Sequence, residues 1–322
     1  MTAPSPKKTP AARSSRFYLP ILLGTVALYL PGMLALGGTD WFFHHDNYFS
    51  LRNIGYSKTL RHADCQVLLT GDSSALTGLD QQAVSRITGM SACNVAEGGT
   101  ITAVTGPVPL ETYLRQNKPP RYLVFMFTPS LYKPAKTWGD YGSYVEGIVY
   151  LLRYQRNREA VRALATHPKE TISFAAWVGR SVGEDAIRRL LDPHRYDGME
   201  DPAARRRRFN GLFTYDEPPQ TRCVRDGDVS IQVTTDPEWV EMLRRKYGVN
   251  GTRVIVNVAP IPECSVGAEA YERGLRGVHD NAMEKLPVGM FNNGDVHFTP
   301  EGAAHLSTEL GHQILRMESA GQ

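Results

Sequence analysis

The sequence predicts an α/β fold: a doubly wound, mostly parallel sheet with a largely helical insertion and one transmembrane helix near the N-terminus. Three observations lead to this prediction. Short apolar runs alternate with helical patterns over most of the chain, a central stretch at about 133–235 lacks this alternation, and a segment near the N-terminus has twenty consecutive uncharged residues. The alternation indicates strand–helix units, and the interruption indicates an insertion between them.

Four apolar runs are predicted strands. Each is short and apolar without a polar alternation, which is typical of parallel strands buried on both faces. They are QVLLT at Gln66–Thr70, Ala92–Val95, YLVFMF at Tyr122–Phe127 and RVIVNV at Arg253–Val258.

Helices are predicted between and after these strands from start and stop signals. Asp80 is an N-cap for a helix that ends before Gly89, and Asp236-Pro237 opens one that Gly248 stops. The last helix begins at Thr299-Pro300 and carries an apolar stripe at 303, 306, 310, 314 and 317. Further helices are predicted at 110–116, 144–165 and 174–191.

The N-terminal region has the pattern of a membrane anchor. Residues 1–16 contain four basic and no acidic residues, and Phe17–Leu36 is long enough for a hydrocarbon core of about 30 Å. A cleaved signal peptide is the alternative, but its apolar run is usually shorter, and Leu34-Ala35-Leu36-Gly37 is a poor cleavage site. The chain therefore divides into a cytoplasmic tail (1–16), a signal anchor (17–36), a connector (37–63) and an extracytoplasmic domain (64–322).

The net charge of +3 comes from the tail, since the 36 basic and 33 acidic residues of the chain include four bases in residues 1–16. The remainder is close to neutral, which argues against a nucleic-acid-binding domain. No cofactor is expected. No metal site is expected either, because no His, Cys, Asp and Glu set has a recognised ligand spacing.

The chain has four cysteines, and no two of them form a CxxC motif. They are Cys65, Cys93, Cys223 and Cys264. Outside the cytoplasm they can form two disulfides, in any of three pairings. We favour Cys65–Cys93, because both residues precede or open strands that are neighbours in a doubly wound sheet. Cys223–Cys264 is then the remaining pair.

Polar residues occur where sites form in such sheets, at the carboxyl ends of strands. The first strand runs into Gly71-Asp72-Ser73-Ser74, and Asp295-Val296-His297 precedes the last helix. Ser73 is a candidate nucleophile, His297 a candidate base, and Asp295 a candidate partner that orients the imidazole. Taken separately, Gly-Asp-Ser is also typical of an ordinary turn, and a lone His before a helix is more often a surface residue or a satisfied polar group.

These residues resemble the SGNH hydrolase superfamily, or GDSL-type esterases. The resemblance rests on Gly71-Asp72-Ser73, on Asn94-Val95-Ala96-Glu97-Gly98-Gly99 and on Asp295 with His297. It implies a flavodoxin-like arrangement in which Ser73 is the nucleophile and its N–H an oxyanion donor. Gly99, or else Gly98, would supply a second donor, with Asp72 and Asn94 as supporting residues.

Two departures from the family pattern bear on function. The family has an Asn shortly after its third strand, where this chain has Thr128-Pro129-Ser130, so Ser130 is the expected replacement donor. The Asp-x-His spacing is similar to the branch that acylates extracytoplasmic polymers, such as the alginate O-acetylation proteins and the D-alanyl transfer protein of teichoic acid synthesis.

The resemblance implies a membrane-anchored O-acyltransferase that modifies a secreted or cell-wall polysaccharide through an acyl-serine, with acetyl as the expected group. Its expected partners are a multi-span membrane acyltransferase that donates the acyl group and the polysaccharide that accepts it. Two alternatives remain: an esterase or deacetylase that hydrolyses glycan acyl or lipid esters, and an impaired glycan-binding module. The missing Asn keeps the second alternative open.

Overall fold

The computed structural model describes residues 15–37, 56–96, 108–129, 164–192, 212, 237–265, 268–292 and 297–320. Within these ranges the side chains of 15–19, 21, 22, 26, 58, 108 and 170 are not described. The chain divides into two compact units. One contains the N-terminal helix and a helix from the predicted insertion, and the other contains the sheet.

Nine α-helices and six strands lie entirely in the described residues, and residues 164–166 are also helical. The helices are α1 Ser15–Gly37, α2 Tyr56–Thr59, α3 Ser73–Gly78, α4 Gln81–Thr88, α5 Val108–Leu114, α6 Pro168–Leu191, α7 Pro237–Tyr247, α8 Ala268–Leu275 and α9 Pro300–Ala320, with a 3-10 turn at Val288–Met290. The strands are β1 Val67–Gly71, β2 Ala92–Asn94, β3 Tyr122–Phe127, β4 Arg253–Val258, β5 Ile261–Pro262 and β6 Lys285–Leu286.

The main sheet has four parallel strands in the order β2-β1-β3-β4. Their first residues are in register, with Val67 opposite both Ala92 and Tyr122, and Tyr122 opposite Arg253. After β2 the chain crosses β1 and continues on its other side at β3. The strand order therefore reverses between β1 and β3, which is the switch point where parallel α/β sheets form their sites.

Helices cover both faces of this sheet. Val67 and Leu69 of β1 pack with residues of α3, α4 and α9 on one face, and Leu68 packs with residues of α5 and α7 on the other. The alternation follows from the side-chain geometry of a strand, in which successive residues point to opposite faces. The predicted α/β fold with a parallel sheet is confirmed.

Several element bounds agree closely with the sequence analysis. β3 and β4 occupy the predicted residues, α4 is capped by Asp80 and Gly89, and the stripe residues 303, 306, 310 and 314 of α9 are buried. β1 begins and ends one residue later than predicted, because Gly71 still pairs with Met126. The predicted N-cap Asp236 and most of the predicted helix 144–165 lie outside the described residues.

The first unit pairs α1 with α6. Tyr29 donates a hydrogen bond to the carbonyl of Ala175 at 3.2 Å, and Gly37 packs against Phe174 and Val178. α6 begins at Pro168, six residues before the predicted start, with the proline in the first turn. Among the residues that the structure describes in full, no helix is long and apolar enough to cross a membrane.

The outer edge of β4 is closed by two side chains instead of another strand. Asp280 accepts a hydrogen bond from the Val256 amide through its carboxylate and donates its own amide to the Val256 carbonyl, both at 2.8 Å. Asn281 repeats the pattern at Val258 with its side-chain amide, at 2.9 Å in each direction. The backbone groups of an exposed edge are thus satisfied locally, which protects the edge from pairing with another chain.

Cysteine pairing in the structure includes the bond that we favoured from the sequence. Cys65 and Cys93 form a disulfide with their Cα atoms 5.8 Å apart. The bond joins the chain just before β1 to the middle of β2. Cys264 is also disulfide-bonded, and Cys223, its expected partner, lies outside the described residues.

Candidate functional site

The site begins where β1 comes very close to β3. Gly71 has a φ of 142°, and a Cβ at this position would lie 1.9 Å from the carbonyl oxygen of Met126. Only glycine can adopt this conformation at this distance. The close approach brings the next residue, Asp72, onto the end of β3, where its amide donates to Met126 at 3.3 Å.

Asp72 is fully buried and hydrogen-bonded through both carboxylate oxygens. Oδ1 accepts from the amide of Ser74 at 2.8 Å and from its hydroxyl at 2.6 Å. Oδ2 accepts from the amide of Thr128 at 2.7 Å. One carboxylate therefore caps α3 and holds the start of that helix against the end of β3.

Burial dominates the protonation equilibrium of this carboxyl group. Removal from water raises the pKa of Asp72, and the hydrogen bonds from Ser74 and Thr128 oppose the rise because they favour the charged form. A buried carboxylate is unfavourable for stability unless donors surround it. The three donors explain how the group is accommodated at the switch point.

Ser73 is the first residue of α3, directly after the Asp72 cap, and its side chain is partly exposed. This strand-to-helix turn presents it at the carboxyl edge of the sheet, as a nucleophile requires. Its neighbours Ser74 and Ala75 are buried, so Ser73 is the partly exposed residue at the start of an otherwise packed helix.

His297 is partly exposed and lies in the segment that leads into α9. The next residue, Phe298, donates its amide to the hydroxyl of Thr77 at 3.3 Å, and the same hydroxyl donates to the carbonyl of Ser73 at 2.9 Å. Two hydrogen bonds through one hydroxyl therefore connect the backbone of Ser73 with the amide that follows His297. The predicted nucleophile and the predicted base are carried by segments fastened to each other.

The segment carrying His297 is held in three further ways. Its carbonyl accepts from the amide of Asn292 at 2.8 Å, and Phe298 forms an antiparallel bridge with Phe291. Phe298 also packs against Gly78, where a Cβ would lie 2.7 Å from the ring. The backbone at His297 is therefore fixed by α3 on one side and by residues 291–292 on the other.

Asn94 supports the same helix from β2. Its buried side-chain amide donates to the carbonyls of Ala75 at 3.0 Å and Leu79 at 2.8 Å, and its oxygen accepts from the amide of Ala96 at 2.9 Å. Both carbonyls lie in the last turn and C-cap of α3, and that of Ala75 also accepts the backbone amide of Leu79 at 3.2 Å. Asn94 thus positions α3 and the chain that leaves β2.

The remaining predicted site residues cannot be placed. Asp295, Gly98, Gly99 and Ser130 lie outside the described residues. Their assignment as imidazole partner and oxyanion donors stays a prediction. The described part of the site comprises Asp72, Ser73, Asn94 and His297.

Sequence reasoning missed the residues that connect these four. These residues are Ser74, Thr77 and Thr128. Thr77 and Thr128 form hydrogen bonds with residues far away in the sequence, and Ser74 bonds to Asp72 only because of the conformation of the turn. The only local signal was the second serine of Gly71-Asp72-Ser73-Ser74, since an Asp two residues before a Ser is typical of an N-cap.

A groove of about 590 Å³ lies beside this framework, along β4 and α9. Its apolar floor includes Met126, Leu79 and Leu310, and Asn257 and Gln313 line it as a mutually hydrogen-bonded amide pair. Met126 belongs both to the groove and to the close contact with Gly71. The groove therefore reaches the residue of β3 that Gly71 contacts.

The described residues contain no group of three or more His, Cys, Asp and Glu side chains able to hold a metal ion. Comparison of the chain with protein-family models, with curated proteins and with solved structures found no match. The fold and site thus define a class of protein: an α/β protein with a parallel sheet. At the switch point of the sheet the turn that carries Ser73 is hydrogen-bonded to the segment that carries His297.

Proposed function

We propose that this protein is a membrane-anchored extracytoplasmic O-acyltransferase, and that Ser73 carries the acyl group, expected to be acetyl, to a hydroxyl of a secreted or cell-wall polysaccharide. The observation that carries the proposal is the hydrogen-bonded connection from Ser73 through Thr77 to the residue after His297. It supports a shared site because a serine hydroxyl needs an adjacent base to act as a nucleophile.

The proposed reaction has two balanced steps. The Ser73 oxygen attacks the acyl carbonyl while its proton passes to His297, which then protonates the departing group of the donor. The acceptor hydroxyl next attacks the acyl-serine, gives its proton to His297, and releases Ser73 with its proton restored. Asp295 is the proposed partner of His297, and the amides of Ser73 and Gly99 or Gly98 are proposed to stabilise the oxyanion together with Ser130.

Two features support an extracytoplasmic position. Phe17–Leu36 carries no charge, follows a basic tail and lies within helix α1. The Cys65–Cys93 disulfide suits an oxidising compartment. We propose a single-pass protein in the cytoplasmic membrane, placed beside a multi-span acyltransferase that supplies the acyl group. An anchored enzyme remains next to a membrane-bound donor, which a soluble hydrolase does not require.

The test measures acyl transfer by the purified full chain in detergent. An activated acetyl ester serves as donor, with and without an extracellular polysaccharide as acceptor. Ser73→Ala is expected to lower turnover about a thousandfold or more, with a similar loss for His297→Gln. Ser319→Ala and His312→Gln change exposed residues of α9 and are the matched controls. Acid quenching should trap one acetyl group on the peptide that contains Ser73.

The same measurements separate the alternatives. Release of acetate that polysaccharide neither accelerates nor diverts into acetylated product would contradict the transferase and favour the esterase. An absence of turnover, with equal polysaccharide binding by wild type and Ser73→Ala, would favour the glycan-binding module.

A further inference from the structure

α6 carries an apolar stripe that faces solvent. Ile172, Ala176, Gly183, Ile187 and Leu190 fall within about 60° of one another on a helix of 3.6 residues per turn. The three large side chains of the stripe are 58 % (Ile172), 59 % (Ile187) and 83 % (Leu190) exposed. A continuous exposed apolar stripe over most of a 24-residue helix indicates an interaction surface.

A different side of α6 contacts α1. Phe174, Ala175 and Val178 are buried there, and a Cβ at Gly179 would lie 1.8 Å from the hydroxyl of Tyr29. This contact side is centred about 115° around the helix from the stripe, and Gly179 is its residue nearest to the stripe. The stripe is therefore not the surface that holds the two helices together.

The side of α6 that faces away from α1 has two parallel halves. Beside the apolar stripe runs a mostly polar one formed by Ser173, Arg180, Glu184 and Arg188, with ion pairs from Glu184 to both arginines and with the exposed Leu191 at its C-terminal end. Lys169, which is exposed, borders the stripe near the start of the helix. An apolar half and a charged half side by side are typical of a helix at a lipid–water boundary, where long basic side chains extend toward the headgroups.

The contacts also fix how α6 crosses α1. Tyr29 and Gly37 are eight residues apart, or about 12 Å along α1. Their partners on α6 are offset by only one residue, because Gly37 meets Phe174 and Val178 while Tyr29 meets Ala175 and Gly179. The two axes therefore cross steeply between Tyr29 and Gly37, over the last turns of the uncharged segment.

We propose that α6 lies flat in the headgroup layer beside α1, with its apolar stripe in contact with the acyl chains of the outer leaflet. The surface goes beyond the proposed chemistry and rests on the proposed anchoring of α1. A helix that crosses a membrane-normal anchor steeply lies parallel to the membrane plane. The exposed Leu28 of α1, before the crossing, continues the apolar surface toward the membrane interior.

The test uses nitroxide labels on the full chain in vesicles of phosphatidylcholine and phosphatidylglycerol. Single variants Ile187→Cys and Leu190→Cys label the stripe, Ser173→Cys labels the polar half, and Leu28→Cys labels α1. The described native cysteines are disulfide-bonded and do not compete for label. Collisions with oxygen, which partitions into lipid, and with a water-soluble nickel chelate are measured at each site.

Labels at 187 and 190 are expected to be broadened by oxygen and protected from nickel, with the opposite result at 173. Nickel access at 187 and 190 with protection at 28 would overturn the proposal for α6 and leave the anchor intact. Nickel access at 28 as well would contradict the anchor itself. Protection of 190 from both reagents would mean that protein covers the stripe, which also overturns the proposal.

Discussion

Asp72 and Asp280 both use a carboxylate to accept a backbone amide near the end of a strand, but their surroundings differ. Asp72 lies at the switch point, fully buried, and accepts from the uncharged donors of Ser74 and Thr128. Asp280 lies at the outer edge of β4 with its side chain 36 % exposed, and it also pairs with Arg244 at 3.1 Å. The second arrangement satisfies a strand edge with a carboxylate that keeps part of its contact with water.

The difference shows where the fold retains a buried carboxylate in spite of its unfavourable desolvation. A partly exposed carboxylate with a cationic partner closes the sheet edge, where only hydrogen bonding is needed. A buried carboxylate, whose desolvation opposes folding, occurs where α3 must be held against β3. Proteins retain such local conflicts mainly at functional sites, so the position of Asp72 supports the site assignment independently of Ser73.

The largest effect is expected at Gly71, which permits the burial of Asp72. Gly71→Ala places a methyl group against the carbonyl of Met126 and should lower the free energy of unfolding by about 4 kcal/mol or more, measured by urea denaturation. Gly89→Ala is the control, because Gly89 also has a positive φ (69°) but open space around its Cβ. Its expected cost is about 1 kcal/mol. Equal costs at the two positions would contradict the close approach.

Asp72→Asn tests the buried carboxylate itself. The Asn side chain keeps one oxygen that accepts, but its NH2 group then faces a donor, either the amide or hydroxyl of Ser74 or the amide of Thr128. The free energy of unfolding should therefore fall by about 2–3 kcal/mol. Asp80→Asn is the matched control, because Asp80 caps α4 through the amide of Gln82 at 2.8 Å but is partly exposed. Since Asn caps helices as well as Asp, this change should cost about 0.5 kcal/mol or less.

The pH dependence of stability gives a second measure of the same residue. The pKa of Asp72 is raised in the folded protein, so the unfolded chain releases this proton at lower pH than the folded one. The contribution of Asp72 to stability is therefore greatest below the ordinary Asp pKa of 3.8 and falls as pH rises toward the raised value. In Asp72→Asn the free energy of unfolding should no longer show this decrease as pH rises. An unchanged pH dependence of the free energy of unfolding would contradict the raised pKa.

At the sheet edge a smaller effect is expected. Asp280→Ala removes the acceptor of the Val256 amide and should cost about 1–2 kcal/mol, with increased association of the protein seen by light scattering. Glu241→Ala removes another carboxylate paired with Arg244, without touching the strand. That exposed pair should contribute about 0.5 kcal/mol or less. An equal loss of unfolding free energy in both variants would mean that Asp280 stabilises the protein through its charge and not through its hydrogen bond to the Val256 amide.

Thr77→Val should have the smallest effect on stability and a larger one on activity. It removes the hydroxyl between Ser73 and Phe298 at a cost of about 1 kcal/mol. Turnover in the proposed reaction is expected to fall about tenfold or more, because the segments that carry Ser73 and His297 lose their connection. Thr308→Val deletes an exposed hydroxyl with only the usual bond to a preceding carbonyl and should leave turnover unchanged. Normal turnover in Thr77→Val would argue that this connection is not needed for catalysis.

The sheet could be predicted from sequence because buried parallel strands are continuous apolar runs, and β3 and β4 therefore matched residue for residue. The caps Asp80 and Gly89 were predicted because their signals are local. The contact of Asp72 with Thr128 and the closure of β4 by Asp280 and Asn281 could not be, since each depends on residues that only the tertiary fold brings together. α6 begins earlier than predicted, at Pro168. A proline at the first helical position is a start signal that hydrophobic periodicity alone does not show.

The Cys65–Cys93 bond has a practical consequence for producing this protein. The segment between the two cysteines contains all of β1, α3 and α4, and hence Gly71, Asp72 and Ser73. Material made in a reducing cytosol would lack the cross-link around this whole segment, at an expected loss of about 3–4 kcal/mol. Inactive preparations are therefore informative only after export or oxidative refolding, with the bond verified by non-reducing peptide mapping.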